Sequence, residues 1–97
     1  MFARVTHIHS EPERLAEVTA LYRDSVMPVI RLQPGYHSTL LLTDPATGKG
    51  LSITVWQSEA DLEASESTGF LREQVGKVMP LLSGPPLQEA FVAEMPV

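Results

Sequence analysis

The hydrophobic residues of this chain recur with two different periods. Apolar and polar residues alternate, or β-tolerant residues run without proline, over residues 2–9, 36–43 and 51–57 and more weakly over 87–95, which predicts four β-strands. Between the first and second strands, and between the third and fourth, apolar residues recur every three or four positions, which predicts two helices. The order β-α-β-β-α-β is that of ferredoxin-like α+β domains, in which both helices lie on one face of a four-stranded antiparallel sheet.

Local signals mark where the helices begin and end. Ser10 with Glu13 three residues later forms a capping box, which predicts the start of the first helix. Pro28 should kink this helix or end its regular part, because proline has no backbone N–H to donate. Ser58 and Asp61 repeat the cap spacing at the start of the second helix. Turn residues predict a hairpin loop and a break in the second helix, at 44–48 and 67–69.

Side chains alternate between the two faces of a strand, so the strand residues sort into two sets. The more apolar set is expected to face the helices: Ala3, Val5, His7, His9, Ser38, Leu40, Leu42, Leu51, Ile53 and Val55. The mixed set is expected on the open face: Arg4, Thr6, Ile8, His37, Thr39, Leu41, Thr43, Ser52, Thr54 and Trp56. A slip of one residue on the first strand would exchange the two sets there and place His7 and His9 on the open face.

The open face is expected to be covered by a second copy of the chain. A four-stranded face measures on the order of 400 Å², and with Trp56, Leu41 and Ile8 it would be among the larger apolar patches of a monomer. A two-fold axis lets one patch cover itself, which predicts a homodimer packed sheet against sheet. The hydroxyls and the arginine on this face need partners or solvent, so a pocket beside or between the sheets is expected.

His7 and His9 are one residue apart, a common spacing for metal ligands. The third histidine, His37, falls in the other set, and the chain has no cysteine. Two imidazoles without a third ligand are a poor metal site, so no bound metal is expected.

Composition narrows the class of protein. The 97 residues, 43% of them hydrophobic, are expected to form a single domain spanning 1–97. A net charge of −5 with scattered basic residues excludes the usual electrostatic footprint of nucleic-acid binding. No apolar run approaches the roughly 20 residues of a membrane span and no export signal is visible, which predicts a soluble, cytoplasmic protein without a membrane partner.

Three stretches together resemble the antibiotic biosynthesis monooxygenase (ABM) family, part of the dimeric α+β barrel superfamily. They are FARVTHIHSEPERL, LQPGYHSTLLLTDPATGKGLSITVWQSEADLEA and FLREQ. The most specific parts are the proline-glycine before the second strand, the DPATGKG hairpin and the VWQSEADL step into the second helix. These motifs are mostly architectural, so they identify the fold better than the chemistry.

The resemblance implies a homodimer that oxidises a small aromatic or polycyclic compound with O₂, without metal or flavin in some members, and haem cleavage in another branch. The haem branch uses an asparagine on strand one, a tryptophan on strand three and a histidine on the second helix. Trp56 matches the tryptophan, but the asparagine position falls near Thr6, and residues 65–67 contain no histidine. Haem is therefore not expected, and no cofactor is predicted.

Cofactor-free oxidation requires a base, a partner for the substrate anion and an apolar wall. On the mixed face these roles fall to His37 as base, Arg4 as anion partner and Trp56 as wall. Thr6, Thr54, Thr39 and Leu41 complete the predicted substrate site. The predicted function is a cofactor-independent monooxygenase of a small aromatic or quinone-forming compound. The alternative is a non-catalytic dimer that binds a small hydrophobic metabolite or serves as an assembly unit, with Trp56 simply part of a core or interface.

Overall fold

The computed structural model describes residues 1–96 and confirms the ferredoxin-like α+β architecture. The four strands form one sheet in the order β2-β3-β1-β4, and every neighbouring pair is antiparallel. The last strand ends three residues earlier than predicted. The strands are β1 (Phe2–His9), β2 (Tyr36–Asp44), β3 (Lys49–Trp56) and β4 (Leu87–Val92), and the helices are α1 (Leu15–Leu21), α2 (Met27–Ile30), α3 (Glu59–Ser67) and α4 (Phe70–Val78).

The first helical region is irregular at Pro28, as predicted. A π-helical segment, Tyr22–Val26, joins α1 to α2, and the Met27 N–H donates to the carbonyl of Tyr22, five residues back. Proline cannot donate the regular hydrogen bond, and a wider turn is one way for a helix to pass it. The result is that Tyr22, Val26 and Ile30 are all buried, packed with Val78 of α4.

The predicted capping box at Ser10 is wrong. The Ser10 hydroxyl donates to the carbonyl of Glu11, and the Ser10 backbone N–H donates to the carbonyl of Gly48. The chain enters its helical region through a short 3-10 turn, Pro12–Arg14, without a side-chain cap.

Both signals in the second helical region are confirmed. The Ser58 hydroxyl accepts a hydrogen bond from the Asp61 N–H at 3.1 Å, which caps α3. Gly69, with φ of 81°, separates α3 from α4. A left-handed backbone of this kind is one that glycine adopts without steric cost.

The helices cover the opposite face of the sheet from the one predicted. The helix-covered face includes four buried residues, Arg4, Ser52, Thr54 and Trp56. They line one cavity together with side chains of the π segment and α4. The more apolar set lies on the open face instead. Its most exposed members include Leu40 at 52% and Leu42 at 45%. The expectation that the more apolar face packs against the helices was wrong. The apolar faces of the helices supply much of the core, and the polar sheet residues beneath them hydrogen-bond to one another.

His7 and His9 therefore lie on the open side and not beneath the helices. The His7 Nε2 lies 2.6 Å from a carboxylate oxygen of Glu89 on β4. The His9 ring bonds to the carbonyl of Thr47 at 3.2 Å. Each imidazole thus has a partner within the protein.

A β-bulge removes His37 from the predicted set. Tyr36 pairs with Trp56, but Ser38 pairs with Val55, so His37 is an extra residue between two paired positions. Strict alternation places His37 with Thr39, whereas the bulge resets the pattern and turns Tyr36 toward the core. The His37 side chain is exposed.

None of the helices within residues 1–96 combines the length and apolar character needed to cross a bilayer.

Gly48 offers a test of the hairpin geometry. It has φ of +81°, and an added Cβ would lie 1.9 Å from the carbonyl oxygen of Ser10. We expect Gly48→Ala to lower the melting temperature by at least about 4–8 °C, since about 1 kcal/mol produces such a shift in a domain of this size. Gly84→Ala, where a Cβ meets nothing within 4 Å, is the matched control. Equal melting temperatures for the two variants would contradict this geometry.

Candidate functional site

A small cavity lies between the sheet and the helices. Its floor is formed by alternate residues of β1 and β3, which face the π segment and α4 across it. The open volume is about 60 Å³, room for a few waters, whereas a cavity of about 150 Å³ holds a benzene ring. A ring-sized ligand therefore requires the walls to move outward. The polar and aromatic side chains of the lining include Arg4, Thr6, Tyr22, Ser52, Thr54, Trp56 and Gln74.

Three buried polar atoms of this lining have no hydrogen-bond partner among residues 1–96. They are Nε of Arg4, Nε1 of Trp56 and Oε1 of Gln74. The three residues are only 6%, 3% and 5% exposed, respectively. An unpaired buried polar atom lowers the stability of a protein by about 1–3 kcal/mol. Three such atoms around one cavity are more typical of a binding site than of a fully packed core.

Arg4 carries the charge of the cavity. Its Nη2 lies 2.9 Å from Oε1 of Glu66 on α3. The arginine side chain is 7% exposed and the glutamate side chain 53%. Apart from Arg4, the one titratable side chain that lines this cavity within the described residues is Tyr22.

A chain of hydroxyl groups lies on the sheet side of Tyr22. The tyrosine hydroxyl bonds to Ser52 and lies 3.4 Å from the hydroxyl of Thr39, which is 3.2 Å from that of Thr54. Thr39 also donates to the carbonyl of Ile53 at 3.2 Å. Since that bond uses the Thr39 proton, the Thr39 oxygen acts as the acceptor toward Thr54.

The structure brings most of the predicted site residues together. Arg4, Thr6, Thr54 and Trp56 line the same cavity, and Thr39 joins them through its bond to Thr54. These residues share one face of the sheet, as predicted, although the helices cover that face and not the opposite one.

Two predicted residues lie elsewhere. Leu41 packs against the core cluster around Tyr22 and does not line the cavity. His37 sits in the bulge, where its Nδ1 is 2.9 Å from the hydroxyl of Ser38, and it also lies outside the cavity. Its role as base remains a prediction that this geometry does not favour.

Sequence reasoning missed Tyr22, Gln74 and Glu66 as site residues. Gln74 had a visible signal, because it falls between Leu71 and Val75 on the apolar stripe of α4, where a polar residue is out of place. Tyr22 continues the apolar helix face of Val18 and Val26, so the pattern gives its hydroxyl no separate signal. Glu66 gave no signal, since its position opposite Arg4 depends on how α3 packs.

Neither a metal nor haem fits the described residues. Residues 1–96 contain no group of three or more histidine, aspartate or glutamate side chains arranged to hold a metal ion. His7, His9 and His37 all lie outside the cavity of Trp56, so no imidazole is placed there to ligate haem.

The family model of antibiotic biosynthesis monooxygenases matches residues 1–76 of the 97. The chain belongs to this family. No protein of curated function matches the sequence significantly.

Solved structures of two proteins named as putative antibiotic biosynthesis monooxygenases, and of one named as a monooxygenase, share the fold. One from Deinococcus radiodurans aligns over 100% of this chain and 96% of its own, with a TM-score of 0.78 and 14% identity. One from Bordetella bronchiseptica aligns over 97% of both chains, with a TM-score of 0.76 and 18% identity. A Streptomyces coelicolor monooxygenase in complex with nanaomycin D aligns over 99% of this chain and 89% of its own, with a TM-score of 0.72 and 22% identity. At these identities the likeness concerns the fold alone.

Gln74 provides a test of whether this ABM cavity is built for a ligand at the expense of stability. We expect Gln74→Met, which keeps the length of the side chain, to raise the free energy of unfolding by about 1 kcal/mol, because it removes a buried oxygen without a partner. Thermal unfolding without ligand measures this, with exposed Gln57→Met as control. A lower melting temperature for Gln74→Met alone would show that the amide is satisfied in solution.

Proposed function

We propose that this chain is a cofactor-independent monooxygenase that oxidises a small aromatic or quinone-forming compound in the cavity beneath its helices. The observation that carries the proposal is the set of unpaired polar atoms of Arg4, Trp56 and Gln74 around one cavity. Membership of the ABM family supports the class of reaction. The small volume of the cavity, about 60 Å³, favours a compact ring over a polycyclic ligand.

The residues of the cavity suit a substrate that itself supplies the electrons. In the simplest balanced case, a phenol takes up one atom of O₂ and becomes a quinone, while the other oxygen atom leaves as water with two of the phenol's hydrogens. The phenolate is the electron-rich form. A guanidinium in a nearly dry site stabilises such an anion more than it would in water, and this is the role of Arg4.

The other lining residues orient the ring and exclude water. Trp56 gives a flat wall and an indole N–H that can donate to a ring oxygen. Tyr22, Ser52 and Thr54 add hydroxyl groups to the same lining. Apolar side chains of the π segment and α4 close the remaining sides, so that a reactive intermediate would be kept from solvent.

One observation favours the second candidate, a non-catalytic binding protein. Within residues 1–96, no histidine or carboxylate lines the cavity, so it lacks an ordinary general base. A substrate that is already ionised in solution avoids this requirement. A binding protein would retain the ligand unchanged.

We further propose that the open sheet face is the homodimer interface. It combines exposed Leu40 and Leu42 of β2 with Phe91 of β4, which is 50% exposed. Leu51 and Ile53 of β3 lie between them, half-buried. A contiguous apolar surface of this kind is usually covered, and a second copy covers it by symmetry.

Oxygen uptake with hydroquinones and phenols tests the proposed activity. We expect Arg4→Gln and Trp56→Phe to reduce kcat/KM at least about 10-fold and up to 1,000-fold, since they remove anion stabilisation and the indole donor. His37→Ala separates the two site assignments, because its side chain lies outside the cavity and turnover should persist. Uptake lost with His37→Ala and kept with Trp56→Phe would move the chemistry out of the cavity.

The dimer is tested by sedimentation equilibrium. We expect the wild type to sediment as a dimer and Leu40→Lys to shift it toward monomer, because the charge would be buried against the partner sheet. Leu32→Lys is the control, since Leu32 is 76% exposed and lies outside the sheet. A monomeric wild type at high micromolar concentration would refute the proposed interface.

A further inference from the structure

The contact between Arg4 and Glu66 leaves half of a bidentate site open. A guanidinium group binds a two-oxygen anion through two parallel N–H groups, and Nε with Nη2 forms one such edge. Oε1 of Glu66 forms an ion pair with Nη2, at 2.9 Å. The Nε of the same edge has no partner among residues 1–96.

Arg4 also stands between two spaces. It lines the inner cavity with Trp56 and Thr54, and it lines an outer groove between α3 and β4 with Glu63 and Glu66. The arginine is held in place by burial, whereas the glutamate is half exposed at the helix surface. Of the two partners, Glu66 is the one that is free to leave, since its side chain can rotate into water.

The relative strengths of two contacts of Arg4, one with Glu66 and one with an anion in the cavity, favour replacement of Glu66 by the anion. An ion pair with one exposed partner contributes little, because water and salt screen it. An anion inside the cavity would meet the same arginine in a much drier environment and would use both N–H groups of the edge.

We propose that Glu66 is the resident counter-ion of Arg4, which a ligand with two neighbouring anionic or carbonyl oxygens displaces when it binds. Glu66 is then a specificity-determining residue. It keeps the buried charge paired in the empty protein, and it sets how strongly an anionic ligand must compete. The inference rests on the proposed ligand site but does not require that the ligand be oxidised.

The test compares benzoate with benzamide, a neutral compound of nearly the same shape. Trp56 is the sole tryptophan of the chain and lines the cavity, so its fluorescence reports binding of either probe to the whole protein. We expect the wild type to bind benzoate more tightly than benzamide. Glu66→Gln should tighten benzoate binding about two- to five-fold, the range expected for release of a weak ion pair. The affinity for benzamide should stay unchanged.

Glu63→Gln is the matched control. It removes the same charge from the same helix and groove, so it reports the general effect of a less acidic surface. Equal shifts for the two variants would overturn the exchange, as would a wild type without preference for benzoate. Failure of both probes to bind at millimolar concentration would overturn the inference and the ligand site together. Selective tightening by Glu66→Gln in a protein that consumes no O₂ would support the exchange and leave the binding-protein alternative as the function.

Discussion

Buried polar groups need hydrogen-bond partners, and this requirement governs the space between the sheet and the helices. Alternation along β1 and β3 places Arg4, Ser52 and Thr54 with Trp56 on one face, and the helices cover that face. The hydroxyls satisfy each other through Tyr22 and Thr39. Arg4, Trp56 and Gln74 remain incompletely paired, and the small cavity lies where they do. The polar sheet face that the apolar helices cover thus forms part of the core and also provides the unpaired polar atoms of the site.

The irregular first helix contributes to the same arrangement. Pro28 cannot continue a regular helix, and the π segment before it carries both Tyr22 and Val26 into the core. Such segments are frequent at functional sites, since they change which side chains face inward. On the other side of the cavity, α4 follows the break at Gly69 and supplies Gln74. Both helical regions that form the walls are therefore irregular near the site.

Much of this architecture is predictable from local patterns, because strand alternation, the Ser58 cap and the Gly69 break depend on neighbouring residues. The grouping of Arg4, Thr6, Thr54 and Trp56 is predictable for the same reason. Which face the helices cover is a different matter, since the more apolar face is left exposed, as a subunit interface would require. A single inserted residue, His37, also defeats simple alternation, and the pairing of Arg4 with Glu66 depends on tertiary packing that no local pattern contains.

The central claim is that ligands bind beneath the helices, and that the apolar open face is kept for a partner. Because the chain has one tryptophan, its indole N–H gives a single NMR signal from inside the cavity. During titration with a small phenol, this account predicts that the Trp56 indole signal shifts while the methyl signals of Leu40 and Leu42 stay in place. Shifts of those methyl groups with an unchanged indole signal would contradict it.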